Sequence, residues 1–579
     1  MLPSRTSPSR LLLLSLLAVA IGLLGGAAAF VLINLIGAIS NLVLLQKFSW
    51  SLPSFNDLKP GPALVLIPVA GAVIVSLMAR WAPQIRGHGI PEAMEAILTD
   101  ESRIPPRTAV AKPISSAIAI GTGGPFGAEG PIIVTGGALG SLIGQWVPTS
   151  PSERKILLAC GAAAGMSATF GAPLAAVMLA IELLLFEFSS RAFVPLVVSS
   201  SIAAGVHSLA FGTGPLFPVP PQDYSGLGKL PFYALLGLAC GLLAVVINRG
   251  LFLFEGAYRR LPVSRFWHPI IGAIGFGMVG LAVPRVLGVG YDTIGDVLDG
   301  RLALGTIAVL GSAKLLAWWL ALASGTSGGT VAPLLLISGC FGTLAGAGVN
   351  QLIPSLQVTP GAFALVAMAA TFGAAVGATF TGIVFLFELT RDYEIILPLM
   401  LASVAAELVT SALMHETLMT EKLSRHGIHV QGEYRMDVLA GTSIREIMSR
   451  DVDTLSPDTT LAEARALARE RHHSAYPVVD ADGRCLSMVS SEDLIDGGSD
   501  ADADETVAAL GTHRPVTVSA GDSVLEVFDV ITSSELDHVP VCDDGRLVGI
   551  VTRKDIVRAR LRQSELEQRQ PGFHLRRFR

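Results

Sequence analysis

Apolar segments recur as far as about residue 414, and many are too short or too broken to be plain membrane spans. Examples are "ALVLIPVAGAVIVSLMA", "FYALLGLACGLLAVVI", "PIIGAIGFGMVGLAV" and "TGIVFLFEL". A straight spanning helix needs about 20 apolar residues. Here Gly and Pro interrupt the runs, and irregular backbone survives at membrane depth only where protein buries it or a cavity hydrates it. Discontinuous helices of this kind, distributed over two halves of a chain, point to a transport site. The composition fits: 51% of the 579 residues are hydrophobic and 15% charged, against about 25% charged in soluble domains.

The N-terminal run "LLLLSLLAVAIGLLGGAAAFVLINLIGAISNLVLL" is far longer than the roughly 7–15 apolar residues of a signal peptide. It is read as a retained span, with Arg5 and Arg10 favouring a cytoplasmic N-terminus. The net charge of −6 is small for this length, and no basic block or nucleic-acid motif is present, so nucleic acid is set aside as a partner. Five cysteines stand singly, without metal or disulfide spacing, and read as small apolar fillers. No nucleophile–base set, metal cluster or phosphate loop points to an enzyme.

Residues 161–188, "GAAAGMSATFGAPLAAVMLAIELLLFEF", resemble 366–389, "VAMAATFGAAVGATFTGIVFLFEL". Each has small residues, an "ATFGA", and an apolar helix reaching a glutamate, Glu182 or Glu388. This predicts a duplicated half. After about residue 420 the chain turns polar, and two units repeat there. Each reads as a strand ending at Ser/Thr, an amphipathic helix, an apolar strand ("YPVVD", "VPVCD"), a turn, a further strand, and a helix opened by Asp. "DDGR" between apolar runs is a hairpin signal.

One carboxylate stands out. Glu129 sits in "GTGGPFGAEGP", residues 121–131, between apolar runs, where an ionisable group is costly and usually functional. "IIVTGGALGSLIG" follows it as a helix. A helix N-terminus carries unpaired N–H groups and partial positive charge, which suits an anion. Glu129 is placed to be a tethered anion that blocks such a site until it swings away or is protonated; a capping glutamate is the bland alternative.

With "RGHGIPEAMEAI" at 86–97, "GAEGP" at 127–131, "GTSGGTVAP" at 325–333 and "FLFELTRDY" at 385–393, the chain resembles the CLC family of chloride channels and chloride/proton exchangers. The tail resembles a tandem CBS-domain pair. The resemblance implies an all-α polytopic membrane protein with the inverted-repeat CLC fold, plus a cytoplasmic α/β CBS pair. The expected boundaries are 1–420 for the transport domain, 421–442 for a linker, 443–498 and 510–563 for the CBS domains, and 564–579 for a basic tail. It further implies a homodimer in a prokaryotic inner membrane, with one chloride pathway per subunit. Glu129 would be the gating glutamate, and backbone groups of Gly87, His88, Gly89, Ile90, Gly127, Ala128, Gly130, Thr330, Val331 and Ala332 would line the anion site.

Four departures from the family pattern follow. His88 stands where a serine hydroxyl usually meets the anion; an imidazole can donate an N–H to chloride, or point away. Val331 replaces a phenylalanine. Met419 falls where a tyrosine hydroxyl is usual, and a thioether donates no hydrogen bond. Leu183 occupies the position of the inward-facing glutamate that passes protons in the exchangers; Glu187, about one turn on, is either a substitute or, the more ordinary reading, a solvated juxtamembrane carboxylate. These departures favour channel-like or weakly coupled anion transport over an antiporter with an unusual proton route. In the CBS pair, Thr552 and Asp555 fit the nucleotide-binding pattern, and Ser490 and Asp493 fit it less fully. The resemblance therefore leaves two readings there, ATP, ADP or AMP as a ligand or a dimer module that binds nothing, and no other cofactor is called for. A nucleotide or ionic-strength sensor anchored by its membrane part is the reading from a different functional class.

Overall fold

A computed structural model of the chain describes residues 8–56, 58–218, 228–425, 427, 442–496, 505–510, 515–534 and 536–559. The expected basic tail and most of the expected linker lie outside these residues. The chain divides into two units, 6–433 and 434–579 together with 1–5.

The first half of the larger unit comprises α1 (Pro8–Leu44), α2 (Ala63–Trp81), α3 (Ile90–Thr99), α4 (Pro106–Gly121), α5 (Glu129–Trp146), α6 (Pro151–Phe170), α7 (Pro173–Leu179, prolonged by a π turn Ala180–Leu185) and α8 (Ser190–Phe211). The second half repeats the series as α9 (Leu230–Arg260), α10 (His268–Ala282), α11 (Tyr291–Leu298), α12 (Leu304–Ala323), α13 (Val331–Leu352), α14 (Pro360–Val376), α15 (Thr379–Thr390) and α16 (Ile396–Leu413). Among the described residues, seven helices are long and apolar enough to cross a membrane; others, such as α10, α14 and α15, are apolar but shorter. The packing repeats too: α5 lies on α6 as α13 does on α14, and α1 on α8 as α9 does on α16.

The halves meet by reciprocal contacts. Glu182 accepts hydrogen bonds from the first-turn amides of α15, Phe380 N at 3.2 Å and Thr381 N at 2.8 Å. Glu388 accepts from those of α7, Leu174 N at 3.0 Å and Ala175 N at 2.7 Å. Each glutamate thus satisfies orphan donors and the positive end of the helix that starts the other half's copy. An exchange in which residue meets residue and its counterpart returns the contact is what a two-fold relation produces. The duplication read from the two "ATFGA" segments therefore extends over the whole unit.

Small residues let the broken helices approach closely. A Cβ on Gly136 would stand 2.1 Å from the Gly161 carbonyl, and one on Gly161 2.0 Å from that of Gly136, where α5 crosses α6. The short helix α17 (Glu421–Arg425) packs on this unit through Lys422–Glu92 (2.8 Å) and Arg425–Glu255 (2.8 Å). The stretch read as the start of a linker is therefore fastened to the helical unit.

The smaller unit holds two antiparallel hairpins, β1 (Ala475–Val479) with β2 (Cys485–Ser490), and β3 (His538–Asp543) with β4 (Arg546–Thr552). The "DDGR" turn lies between β3 and β4, with Asp544 and Gly545 both at positive φ (51° and 82°), as a tight primed hairpin turn requires. The strands that precede each helix are single parallel bridges, Leu455 with Val478 and Val518 with Val541. The repeats trade segments: Ile444 is buried in the second repeat's core beside Val524 and Val539, and Val507 in the first beside Leu455 and Tyr476. Neither repeat closes its core with its own span of sequence.

Removing either inter-half cap is expected to destabilise the helical unit. Glu182→Ala and Glu388→Ala should each cost about 1–2 kcal/mol of stability per capped end and so lower the thermal midpoint of the detergent-purified protein. Glu187→Ala, an exposed position, should leave the midpoint in place. Equal midpoints for all three would refute the capping role.

Candidate anion pathway

Two glycine-rich loops meet at the centre of the larger unit. Gly127 N–H donates to the Gly329 carbonyl (3.3 Å), and Gly329 N–H to that of Gly127 (2.9 Å). These glycines are equivalent in the two halves and open the helices α5 and α13. Side chains are excluded here: a Cβ on Gly127 would stand 1.7 Å from Glu129 Oε2, and one on Gly329 2.5 Å from the Gly127 carbonyl. Likewise a Cβ on Gly130 would meet the His88 carbonyl at 1.9 Å, and one on Gly89 the Gly130 carbonyl at 2.4 Å. The starts of α3, α5 and α13 thus converge backbone to backbone.

Glu129 is fully buried at this convergence. Its Oε1 accepts a hydrogen bond from the Tyr291 hydroxyl at 2.5 Å. The Ala332 amide faces the carboxylate from the first turn of α13, yet Oε2 has no hydrogen-bond partner among the described residues. The carboxylate therefore lies against the positive end of a neighbouring helix, where a free anion would be favoured.

Cavities lie beside residues of this site, though none of the three is lined by Glu129 itself. One, of about 240 Å³, is lined by Ser40, Phe55, Ile120, Val289 and Tyr291 among others. A second, of about 220 Å³, is lined by Arg86, Gly87, His88, Glu92, Glu255 and Lys422 among others, and a third of about 390 Å³ shares Arg86, Glu92 and Lys422 with it. Helix α4 touches the first cavity with Ile120 in its last turn and the third with Thr108 in its first. The cavities therefore open toward opposite ends of that helix. His88 is only 8% exposed, lines the second cavity, and its Nδ1 has no hydrogen-bond partner among the described residues. An orphaned buried ring nitrogen beside a cavity is costly unless a ligand or water meets it.

Two of the expected backbone donors are engaged elsewhere. Gly89 N–H donates to Glu92 Oε2 at 2.6 Å, closing the first turn of α3, and Gly127 N–H goes to Gly329. Gly87 and Ile90 stand beside His88, and Ala128, Gly130, Thr330, Val331 and Ala332 are buried around the two crossing helix starts. Met419 is fully buried, and the neighbour that lines the second cavity is Leu418. Leu183 is 3% exposed within the apolar core, and Glu187 is exposed.

Sequence reasoning missed Tyr291, Lys112 and Lys314. Lys112 Nζ donates to the carbonyls of Ile85 and Gly87 (2.8 Å each). Lys314 Nζ donates to those of Val286 and Gly288 (2.9 Å each). Both lysines are fully buried, and each clamps the G-x-G loop of its own half, "GHG" or "GVG". The signal was the second G-x-G, in "LGVGYD", standing in the order already seen in "RGHGIP".

In the tail, the expected nucleotide residues cap their own helices. Ser490 Oγ donates to Asp493 Oδ2 (2.6 Å) and Thr552 Oγ1 to Asp555 Oδ2 (2.7 Å), while each Asp amide returns a bond to the hydroxyl. This is the capping arrangement of a helix start.

Comparison with known proteins agrees with this architecture. The family described as "Voltage gated chloride channel" matches residues 70–411, and the CBS domain matches 444–499 and 507–562. The H(+)/Cl(−) exchange transporter ClcA of Vibrio campbellii is 33% identical over 383 residues, covering 63% of this chain and 82% of its own length. Chloride channel protein CLC-f of Arabidopsis thaliana is 28% identical over 493 residues, covering 74% of this chain and 62% of its own. Among solved structures, a slow cyanobacterial Cl−/H+ antiporter aligns with a TM-score of 0.63 at 25% identity, over 72% of this chain and 97% of its own. A eukaryotic CLC transporter shares the fold at a TM-score of 0.56 and 22% identity, over 94% of this chain and 97% of its own. These relatives are transporters and channels rather than enzymes. The chain is a multi-pass anion-transport protein of the CLC family, with a tandem CBS pair following its membrane unit.

Proposed function

We propose that the protein passes chloride between the cavities on either side of Glu129, with that carboxylate as the gate and with weak or no coupling to protons. The observation that carries this reading is the position of Glu129: a buried carboxylate lying against the start of α13, where a permeating anion would bind. When it leaves or is protonated, the helix N-termini are free to hold chloride. The CBS pair and the Arg10 end of α1 are taken as cytoplasmic, in a prokaryotic inner membrane, and the assembly as a homodimer.

His88 is assigned to the anion. Its unpartnered Nδ1 beside the second cavity supplies a donor where the backbone amide of Gly89 is engaged by Glu92. With the apolar Leu418 lining the same cavity and Met419 buried beside it in the chain, side-chain coordination rests on this one ring, and weak central binding loosens coupling that depends on it.

A proton-coupled antiporter is the second reading, favoured by the exchange activity named for ClcA and for the cyanobacterial protein. Its proton route could not use Leu183. The second cavity offers Glu92, Glu255 and Glu421 instead, each paired with Lys422 or Arg425. An adenine nucleotide at the tail would have to share Asp493 and Asp555 with the caps they form, so nucleotide binding there should disturb helix ends that calorimetry on the full chain can sense.

Three outcomes follow. In proteoliposomes with a fixed chloride gradient, the reversal potential should stay in place when a pH gradient is imposed; a reversal that moves with pH establishes the antiporter. Glu129→Gln should raise chloride flux severalfold and make it independent of pH, and flux equal to wild type at every pH would remove Glu129 from the gate. His88→Ser should lower the chloride concentration for half-maximal flux, and an unchanged value would mean that the ring does not meet the anion.

A further inference from the structure

We infer that Tyr291 is the latch that holds the gate closed, and that Lys314 sets it in place. This rests on Glu129 being the gate. The Tyr291 hydroxyl is the side-chain donor to the Glu129 carboxylate, at 2.5 Å, and it arrives from the opposite half of the molecule. A short bond from a neutral donor to a buried carboxylate is of the strong, charge-assisted kind. The other carboxylate oxygen has no hydrogen-bond partner among the described residues, so the closed position depends heavily on this one bond and on the Ala332 amide.

Tyr291 is held on both sides of its ring. Phe170 and Phe217 pack edge-on against it, each with ring centroids 6.3 Å away. Its backbone opens α11, directly after the "GVG" loop whose carbonyls at Val286 and Gly288 are gripped by the buried Lys314 ammonium. The lysine therefore fixes the loop, the loop fixes the phenol, and the phenol fixes the carboxylate. The ring also lines the 240 Å³ cavity, so an anion arriving by that route meets the latch before it meets Glu129.

The two halves show that this is an elaboration rather than a requirement of the fold. The residue equivalent to Tyr291 in the first half is Ile90, which follows "GHG" at the start of α3 and has no polar atom in its side chain. Lys112 clamps that loop in the same way as Lys314 clamps its own. The scaffold thus stands with an aliphatic residue at this position, and the hydroxyl is present only where a carboxylate lies in reach.

The test is a cycle of chloride flux measurements in proteoliposomes on wild type, Tyr291→Phe, Glu129→Ala and the double variant. Phenylalanine keeps the ring packing and removes only the hydroxyl. A hydrogen bond to a charged group is strong enough that its loss should free the gate about tenfold. Tyr291→Phe should therefore raise flux severalfold and lower the chloride concentration for half-maximal flux, since chloride then competes with a loosely held carboxylate. In the Glu129→Ala background the same change should have no effect. Flux in Tyr291→Phe equal to wild type overturns the latch, and so does an equal increase in both backgrounds, which would place the hydroxyl on the pathway itself. Glu129→Ala flux equal to wild type would instead overturn the gate on which the inference rests. Should Tyr291→Phe not yield folded protein, Tyr291→Leu, which likewise has no donor, is read by the same criteria.

Discussion

The paired backbones of Gly127 and Gly329 are the contact on which the rest of the membrane unit depends. Two loops in opposite halves exchange N–H···O bonds at the point where the helices α5 and α13 begin. That crossing satisfies polar backbone at membrane depth without water, which is the condition for irregular chain to exist there at all. It also brings two positive helix ends together in one small volume. A charge is then favoured where hydrocarbon would forbid it, and Glu129 supplies one.

Such loops have little to hold them in shape, because their glycines contribute no side chains. The buried lysines answer this. Each donates to two carbonyls at or just before a G-x-G loop. The loop held by Lys314 leads directly into Tyr291, the side-chain partner of Glu129. The reciprocal caps by Glu182 and Glu388 place carboxylates on two further helix starts where the halves meet.

Much of this was legible in the chain. The Gly/Pro-broken apolar runs gave discontinuous helices, the "ATFGA" segments gave the duplication, and the isolation of Glu129 pointed to the buried carboxylate at the crossing of α5 and α13. What was not legible depended on which atoms meet across the two-fold relation. Nothing local distinguishes Tyr291 from a lipid-facing tyrosine, since its partner is 162 residues away. The donors at Gly89 and Gly127 looked available because a free amide and one bonded to Glu92 or Gly329 read alike in sequence. The CBS repeats looked self-contained for the same reason: Ile444 and Val507 are ordinary apolar residues, and only the folded cores reveal that each serves the other repeat.

The functional centre is where the duplicated halves stop agreeing. Glu129 stands where the other half has Val331, and Tyr291 where it has Ile90. His88, whose Nδ1 has no hydrogen-bond partner among the described residues, stands where it has Val289. In each pair one half carries a polar side chain and the other a smaller, branched aliphatic one. The frame does not require the polar group, because helix starts, glycine crossings and lysine clamps are common to both. The polar members are distributed unevenly: Tyr291 lines one cavity, His88 lines another, and Glu129 is bonded to Tyr291. A symmetric scaffold thus carries an asymmetric set of polar groups. Under the proposed gate, that asymmetry is what lets a single carboxylate be held from one side and displaced from the other.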